Sequence, residues 1–340
     1  MSNFRVFYPL ESVAMGGLGS ASGTSVHGLQ SVSTTTSFNL EQVFELGQLD
    51  IYEYIETLPS VEMTMEKVLD GYPLIYHLGS VGCSTSTLLN RSNRRADIFL
   101  SIFSDTIESS SGVPVVQAYC SGMYLSSLNY KLPIASNFTE SVTYIGNDKI
   151  WISSASGTWY GRTGYAFNGD FTGDDTPASG VQRRQMVVMG TSGSIFPANL
   201  PGINASGYNI DTGVFSAHLQ DINISANLGR TDLLELGRRR PYYKYANFPI
   251  EVDCTIAMAA GGDNPGDMIN ANSDTDNVGS SIIKVVIQDG TVFDLGNDNK
   301  LSNIAYSGGD TGGGVVTITY SYKNYNHLDV TSPSDPEGMT

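Results

Sequence analysis

The sequence predicts an all-β protein in which one domain occurs twice in tandem. Two observations support this prediction: short segments alternate between apolar and polar residues, and two blocks of sequence recur at nearly constant intervals. Alternation with a period of two residues is typical of a half-buried β-strand. Charged residues are only 15% of the 340 residues, and the many Gly, Ser, Thr, Asn and Tyr residues favour strands joined by turns over long helices.

The first repeated block runs from Leu29 to Pro59 and returns from Leu219 to Pro249. Its interval is constant, because 219 − 29, 237 − 47 and 249 − 59 all equal 190. Both copies contain Leu-Gln, Glu-Leu-Gly, a tyrosine and a proline in the same order. A match of this length without a gap indicates a duplicated domain.

A second block supports the duplication at a different interval. Residues 125–144 match residues 301–320, since 301 − 125 and 320 − 144 both equal 176. After the proline of the first block, the second copy is predicted to be one residue shorter, so that residues 61–63 match residues 250–252.

The matches divide the chain into five consecutive parts: a flexible N-terminal arm (1–26), a first domain (27–152), a glycine-rich linker (153–216), a second domain (217–327) and a disordered tail (328–340). The tail is predicted to be disordered because it is polar and contains two prolines. One short helix is expected in the first domain, within Ser84–Arg95.

The net charge of −16 argues against a protein that grips nucleic acid, because phosphate binding needs a positive surface. It also disfavours binding to an anionic membrane. No long apolar stretch is present, so neither a signal peptide nor a membrane span is expected. The three cysteines have no CxxC spacing, which fits a reducing compartment.

A long connection separates the first two strands of each repeat, at residues 39–58 and 229–248. Its many apolar residues would be out of place in a solvated loop, so we predict a protruding arm that buries them on a neighbouring subunit. The residues expected to make this contact are Leu46, Gly47, Leu49, Ile51, Tyr52, Tyr54, Leu236, Gly237, Arg238, Arg239, Arg240 and Tyr242.

The three arginines at 238–240 form the densest basic cluster of an acidic chain. We expect them to pair with acidic residues of an adjacent subunit. The first repeat has Gln48, Leu49 and Asp50 at the equivalent positions. The two arms therefore cannot make identical ionic contacts.

No pattern of catalytic or metal-binding residues stands out. The four histidines form no catalytic set with Ser or Asp. The acidic segment Asp263–Asp276 resembles the start of a calcium loop, but Thr275 stands where that loop needs glycine. The sequence therefore predicts a protein that is not an enzyme and that has no metal and no cofactor.

Three features together resemble the tail tube proteins of tailed bacteriophages: the paired Leu-Gln, Glu-Leu-Gly and proline blocks, the strand at 137–143, and the glycine-rich hairpin that ends in residues 320–322. The resemblance extends over about Gln30 to Tyr325. It implies that each domain is a β-sandwich with a long inter-strand loop and a flanking helix. It also implies six-fold rings of domains that stack into a hollow tube for genome DNA.

The resemblance implies a major tail tube subunit of the virion, assembled in the host cytoplasm. Because each chain carries two domains, three chains should complete a pseudo-six-fold ring, with six chains as the alternative. Other expected partners are the tape measure, the baseplate or terminator, and a sheath if the tail contracts. DNA should pass through an acidic lumen without specific binding.

Two other classes of protein remain open from the sequence. One is another phage ring or cap protein, such as a tail terminator or a capsid decoration protein, which would not stack on itself. The other, less favoured, is a carbohydrate-binding or hydrolytic β-sandwich module, which would need a concave face with aromatic platforms or a close pair of carboxylates.

Overall fold

The computed structural model describes residues 11–19, 23–103, 114–153, 178–204, 206–208, 218–259, 279–308 and 316–338. Within these ranges the chain forms nineteen β-strands and two short α-helices. The prediction of an all-β protein is confirmed. All the named strands pair antiparallel, as expected for strands joined by short turns.

The elements of the N-terminal half are β1 (Glu11–Gly17), β2 (Thr24–Ser25), β3 (Leu29–Ser37), β4 (Leu40–Phe44), β5 (Ile51–Glu56), β6 (Ser60–Val68), α1 (Ile75–Leu78), α2 (Leu88–Ser92), β7 (Arg95–Ile102), β8 (Val116–Pro133), β9 (Thr139–Gly146) and β10 (Lys149–Ser153). Those of the C-terminal half are β11 (Leu219–Asn227), β12 (Arg230–Leu233), β13 (Tyr243–Ala246), β14 (Glu251–Ala259), β15 (Lys284–Val286), β16 (Val292–Asp294), β17 (Lys300–Ser307), β18 (Thr317–Tyr325) and β19 (Asp329–Thr331).

A four-stranded sheet is the structural unit of the repeat. Its order is β3-β6-β9-β8 in the first copy and β11-β14-β18-β17 in the second. The irregularity at 29–31 of β3 recurs at 219–221 of β11, and the one at 125–127 of β8 recurs at 301–303 of β17. Each bulge marks one extra residue at one place in a strand. The matched bulges therefore align the two copies residue by residue.

This alignment corrects two of the predicted strand matches. The pairing registers equate Val61 with Val252 and Tyr144 with Tyr322, so the intervals are 252 − 61 = 191 and 322 − 144 = 178. The sequence had placed both partners two residues earlier. A slip of two residues leaves the two faces of an alternating strand unchanged, so residue character alone does not reveal it.

The two repeated sheets are joined edge to edge by β8 and β11. The second half of β8 pairs with β11 on one side and with β9 on the other. The first half of β8 pairs with β7 and β10. The result is one 12-stranded sheet in which the long strand β8 links every part.

One hydrophobic core extends under both repeats. Buried side chains of β6, β8 and β9 belong to the same cluster as those of β11, β14 and β18. The small sheet β15-β16-β19 contributes to this cluster as well. There, the ring of Phe293 lies 4.6 Å from the ring of Tyr130. The two copies are thus packed against each other and against a shared layer.

The N-terminal part of the chain is more ordered than predicted. Residues 11–17 form β1, which pairs with β7 along its whole length, and Val13, Ala14 and Met15 are buried. The prediction of a flexible arm is therefore wrong for this strand, because its apolar residues find a place beside β7. Residues 1–10 and 20–22 of that arm lie outside the described residues.

The segment expected to be a linker is packed into the protein where it is described. Ile195 forms a bridge with Lys284, and Phe196, Leu200 and Ile203 are buried. Residues 178–204 therefore belong to the fold, which corrects the expectation of a free linker there. Residues 154–177, 205 and 209–217 lie outside the described residues, as do residues 309–314 of the glycine-rich turn expected at 308–314.

The C-terminal residues 328–338 are also part of the fold, so the prediction of a disordered tail is wrong for them. β19 pairs with β16, and Leu328 and Val330 are buried. Asp335 is buried and accepts a hydrogen bond from the guanidinium of Arg91. His77 Nε2 donates to the carbonyl oxygen of Val330 at 3.0 Å. The polar composition misled the prediction because these partners lie about 250 residues away in the sequence.

The predicted helix within Ser84–Arg95 is shorter than expected, since α2 covers only Leu88–Ser92. A second helix, α1, was not predicted. The backbone N–H groups of Ile75 and Tyr76 donate to the buried carboxylate of Glu140 at 2.7 and 3.1 Å. This contact ties α1 to β9, and burial raises the pKa of Glu140.

Candidate assembly surfaces

Each predicted arm is a β-hairpin. The first hairpin consists of β4 and β5, and the second of β12 and β13. Gly47 and Gly237 have φ angles of 91° and 87°, which lie in the left-handed region that favours glycine. Each glycine lies within the same turn, since Gln48 N donates to the Glu45 carbonyl at 3.2 Å and residue 238 makes the equivalent bond at 3.4 Å. The duplication thus includes the hairpin turns.

The first hairpin is almost entirely exposed. Leu46 and Leu49 are fully exposed, Tyr52 and Tyr54 are more than half exposed, and Ile51 is half-buried. No other heavy atom lies near a Cβ built on Gly47. The structure therefore places these predicted contact residues on a free surface of the single chain.

The predicted residues of the second hairpin have different surroundings. Leu236 and Arg239 are exposed, and Tyr242 is about half exposed. Arg238 lies 2.8 Å from Glu235 of its own hairpin. Arg240 makes an ion pair of 3.0 Å with Asp148 of the first repeat, so two of the three arginines have a carboxylate partner within the chain. A Cβ on Gly237 would also meet no atom.

The base of the second hairpin lies against the first repeat. Arg230 Nε donates to the Leu125 carbonyl at 2.7 Å, and its guanidinium lies over the Tyr124 ring. Burial lowers the pKa of Arg230 to about 10. The Tyr243 hydroxyl donates to Asn93 Oδ1 at 3.0 Å. One inter-repeat contact is thus present within a single chain.

The structure also reveals two surfaces that the sequence did not identify as sites: the outer edges of the repeated sheet. Among the described residues, β3 pairs only with β6, and β17 pairs only with β18. Their equivalents in the other repeat, β11 and β8, pair with each other from residue 221 opposite 133 to residue 227 opposite 127. The chain therefore contains one joined pair of edges and one separated pair of the same kind.

Burial follows this difference between joined and separated edges. In β11, Ile222, Ile224 and Ala226 are buried, whereas the equivalent β3 has no buried side chain. A sequence signal was available, because β3 has Thr34 and Thr36 where β11 has Ile224 and Ala226. Within the described part of the chain, the hydroxyls of both threonines are enclosed and have no hydrogen-bond partner.

The face of the repeated sheet opposite the core is polar and acidic. Alternate residues of β6, β11 and β14 point away from the core. The carboxylates on this face are Glu62, Glu66, Asp221, Glu251 and Asp253, and the ammonium groups are Lys131, Lys300 and Lys323. The described face thus carries more negative than positive charge.

In the described ranges no three His, Cys, Asp or Glu side chains are grouped so that they could hold a metal ion. No helix there is long and apolar enough to cross a membrane.

No family model and no curated protein sequence matches the chain. Several solved structures share similarity with it, and three of them are as follows. The sheath-tube complex of an extracellular contractile injection system (PVC, extended state) is 12% identical with a TM-score of 0.33, over 45% of this chain and 94% of that one. The anti-feeding prophage baseplate is 14% identical with a TM-score of 0.33, over 45% and 98%.

The third similar structure, the virion of a native gene transfer agent particle, is 16% identical with a TM-score of 0.25, over 35% of this chain and 89% of that one. Each solved chain is matched over most of its length and covers less than half of this chain. At these identities and TM-scores, the similarities assign neither an activity nor a partner to this protein.

Proposed function

We propose that this protein is a structural virion subunit, the major subunit of a tail tube, whose copies pair edge to edge into rings that stack around a DNA channel. The observation that carries the proposal is the β8–β11 pairing. It joins an edge strand of one repeated sheet to an edge strand of the other, and among the described residues it leaves the equivalent strands β3 and β17 as the two outer edges of the joined sheets.

An exposed sheet edge offers a row of backbone donors and acceptors to another chain. The edges β3 and β17 are complementary because their equivalents already form seven consecutive residue pairs within the chain. Their best partner is therefore a second copy of the same protein, with β17 of one copy beside β3 of the next. Head-to-tail contacts of this kind close into a ring when the rotation permits.

The register of the contact follows from the repeat intervals. Across β8 and β11, Tyr130 faces Ile224. The equivalent residues are Tyr306 (130 + 176) and Thr34 (224 − 190). Tyr306 of one copy should therefore face Thr34 of the next, and by the same arithmetic Ala305 should face residue 35.

Three chains complete the proposed ring. The resemblance to tube proteins implies six repeats per ring, and each chain supplies two. The edge contact between the two repeats of one chain is then nearly equivalent to the edge contact between neighbouring chains. The ring therefore has true three-fold and pseudo-six-fold symmetry. Six chains per ring are the alternative arrangement. The role needs no catalytic residue, and the ends of the tube would meet the other tail proteins.

The proposed register can be tested with paired cysteines. In the variant Thr35→Cys/Ala305→Cys, the two thiols face each other across the proposed contact, and oxidation should link neighbouring copies. The three native cysteines are buried and should not interfere. The matched control, Ser31→Cys/Ala305→Cys, moves one thiol four residues, or roughly 13 Å, along β3, which is too far for a disulfide.

Non-reducing electrophoresis and electron microscopy give the result. We expect covalent trimers and no larger species from the first variant, and tubes of stacked rings in the images. Covalent hexamers would support six chains per ring. Single rings or caps that never stack would favour a terminator or decoration protein. Equal cross-linking in the control, or a wild-type protein that stays monomeric, would overturn the proposal.

A further inference from the structure

The two hairpins, which are equivalent in the repeat, carry opposite charge. The acidic hairpin, residues 38–59, contains five carboxylates and no lysine or arginine: Glu41, Glu45, Asp50, Glu53 and Glu56. The basic hairpin is the same stretch 190 residues later, residues 228–249. It contains Arg230, Arg238, Arg239, Arg240 and Lys244 against Asp232 and Glu235. The net charges are therefore −5 and 5 − 2 = +3.

The charges of the acidic hairpin have no counterpart in the described part of the chain. None of its carboxylates makes an ion pair there, although Gln48 donates to Glu45 within the turn. All five carboxylates are exposed, as are the tip residues Leu46 and Leu49. A surface that is both apolar and uniformly charged suits a partner with apolar residues and the opposite charge.

The tip of the basic hairpin has these properties. Leu234 and Leu236 are exposed there beside Arg238 and Arg239. The contact between Arg238 and Glu235 lies on the surface, with both side chains about half exposed, and such pairs stabilise weakly. Arg238 is therefore available to another carboxylate. Arg240 is held by Asp148 and belongs to the contact within the chain.

We propose that the acidic hairpin of one copy docks on the basic hairpin of another copy. This inference rests on the proposed function, because it concerns copies that assemble with one another. Unlike hairpins attract and like hairpins repel, so the contact admits only one order of neighbours. The duplication thus produced two different halves of one docking surface from a single ancestral hairpin.

Charge reversal tests the docking. In variant A, Glu45→Arg/Asp50→Arg/Glu53→Arg, the acidic hairpin becomes basic, since −5 + 6 = +1. In variant B, Arg238→Glu/Arg239→Glu, the basic hairpin becomes acidic, since +3 − 4 = −1. All these side chains are exposed, and circular dichroism and thermal melting should show that both variants fold.

Sedimentation at low salt measures assembly. We expect variant A alone and variant B alone to assemble only at a protein concentration at least about tenfold higher than wild type needs. The reason is that both hairpins of each variant carry charge of the same sign. An equimolar mixture of A and B should assemble as wild type does, since A supplies basic hairpins and B supplies acidic ones. The variant with all five changes should recover as well. As a control, Asn297→Arg/Asp298→Arg adds positive charge in an exposed turn and should assemble as wild type does.

The outcomes separate this inference from the proposed function. If wild type forms rings but A and B assemble equally well, the docking proposal is wrong and the edge pairing stands. The docking proposal is also wrong if neither the mixture nor the variant with all five changes assembles although the proteins are folded. A wild-type chain that stays monomeric overturns both proposals.

Discussion

Tyr130 and Tyr306 occupy the same position in the two repeats, yet the first is 0% exposed and the second is 61% exposed. Tyr130 lies in β8 and Tyr306 lies in β17, which are equivalent edge strands of the repeated sheet. Both residues follow the same bulge by the same number of residues. Tyr130 is covered because β11 and the small sheet lie beside it. Tyr306 lies at the free edge β17. Among the described residues, no strand lies beside Tyr306 in the place that β11 takes beside Tyr130.

This difference predicts opposite effects of the same substitution. In the single chain, Tyr130→Ala should cost about 3–5 kcal/mol of unfolding free energy, as large core truncations do. Tyr306→Ala should cost less than about 0.5 kcal/mol there but should weaken assembly. Urea unfolding of dilute protein measures the first quantity, and sedimentation measures the second. A Tyr306→Ala protein that assembles normally would contradict the proposed edge contact.

The apolar residues of the acidic hairpin give a second prediction. Replacing Leu46 and Ile51 together with Asp should leave a folded chain that does not assemble, because neither side chain is buried in the core of the single chain. Sedimentation and electron microscopy show assembly, and thermal melting shows folding. Leu89→Asp, at an exposed leucine of α2, is the control and should form normal tubes. Normal tubes from the double variant would exclude the hairpin from the contact.

A third prediction concerns the C-terminal residues. Asp335→Asn removes the charge that compensates the buried Arg91 guanidinium, so the free energy of unfolding should fall by about 3–5 kcal/mol. The exposed Asp298 provides the control, and Asp298→Asn should change it by less than about 0.5 kcal/mol. Urea unfolding measures both. Equal stability of the two variants would mean that residues 328–338 do not hold the fold together as described.

The sequence predicted what depends on local periodicity. In β6 it correctly assigned Val61, Met63 and Met65 to the core, and in β14 it did the same for Val252, Cys254 and Ile256. Alternation fixes the faces of a strand, and these residues need no information about their neighbours. The turn glycines 47 and 237 were found from the repeat, because both copies of the first block contain them.

What the sequence could not predict depends on contacts between distant residues. Asp335 looks like part of a polar tail until Arg91, which is 244 positions away, is placed beside it. The edge pairing of β8 with β11 was also not predicted, since period two gives the faces of a strand but not its neighbour. The proposed assembly edges therefore became visible only in the structure.

The buried His77 predicts a fourth result, a loss of stability in acid. Burial and the nearby Arg91 lower the pKa of His77 to about 4, against the opposing influence of Asp335. The unfolded chain has an ordinary histidine pKa of about 6.5, so it takes up the proton first as the pH falls. The free energy of unfolding therefore has its full value above about pH 6.5. It falls by about 3 kcal/mol in total as the pH is lowered to about 4.

The variant His77→Gln isolates this effect, because glutamine can still donate to Val330 but does not titrate. Urea unfolding at about pH 7 and about pH 4.5 gives the free energy of unfolding at each pH. Its decrease in wild type should exceed its decrease in the variant by about 2–3 kcal/mol. Glu140, whose pKa is raised by burial, contributes with the opposite sign, but it does so equally in both proteins. Equal losses would show that His77 is not held neutral in the folded chain.

The last prediction is that the polar face of the repeated sheet lines the channel of the proposed tube. Its five carboxylates and three ammonium groups give −5 + 3 = −2 on the described strands of each chain. An acidic wall repels the phosphates of DNA, whereas binding requires that phosphates be neutralised. Assembled wild-type tubes should therefore not retain double-stranded DNA.

Reversing part of this charge should create binding. In Glu62→Lys/Asp221→Lys the face becomes −2 + 4 = +2, and co-sedimentation at about 50 mM salt should show retained DNA that is released at about 200 mM. Asp298→Lys changes the charge of an exposed turn that precedes β17, outside the strands of this face, and its tubes should not retain DNA. Retention by wild type, or by the control as strongly as by the double variant, would mean that the polar face does not meet the DNA.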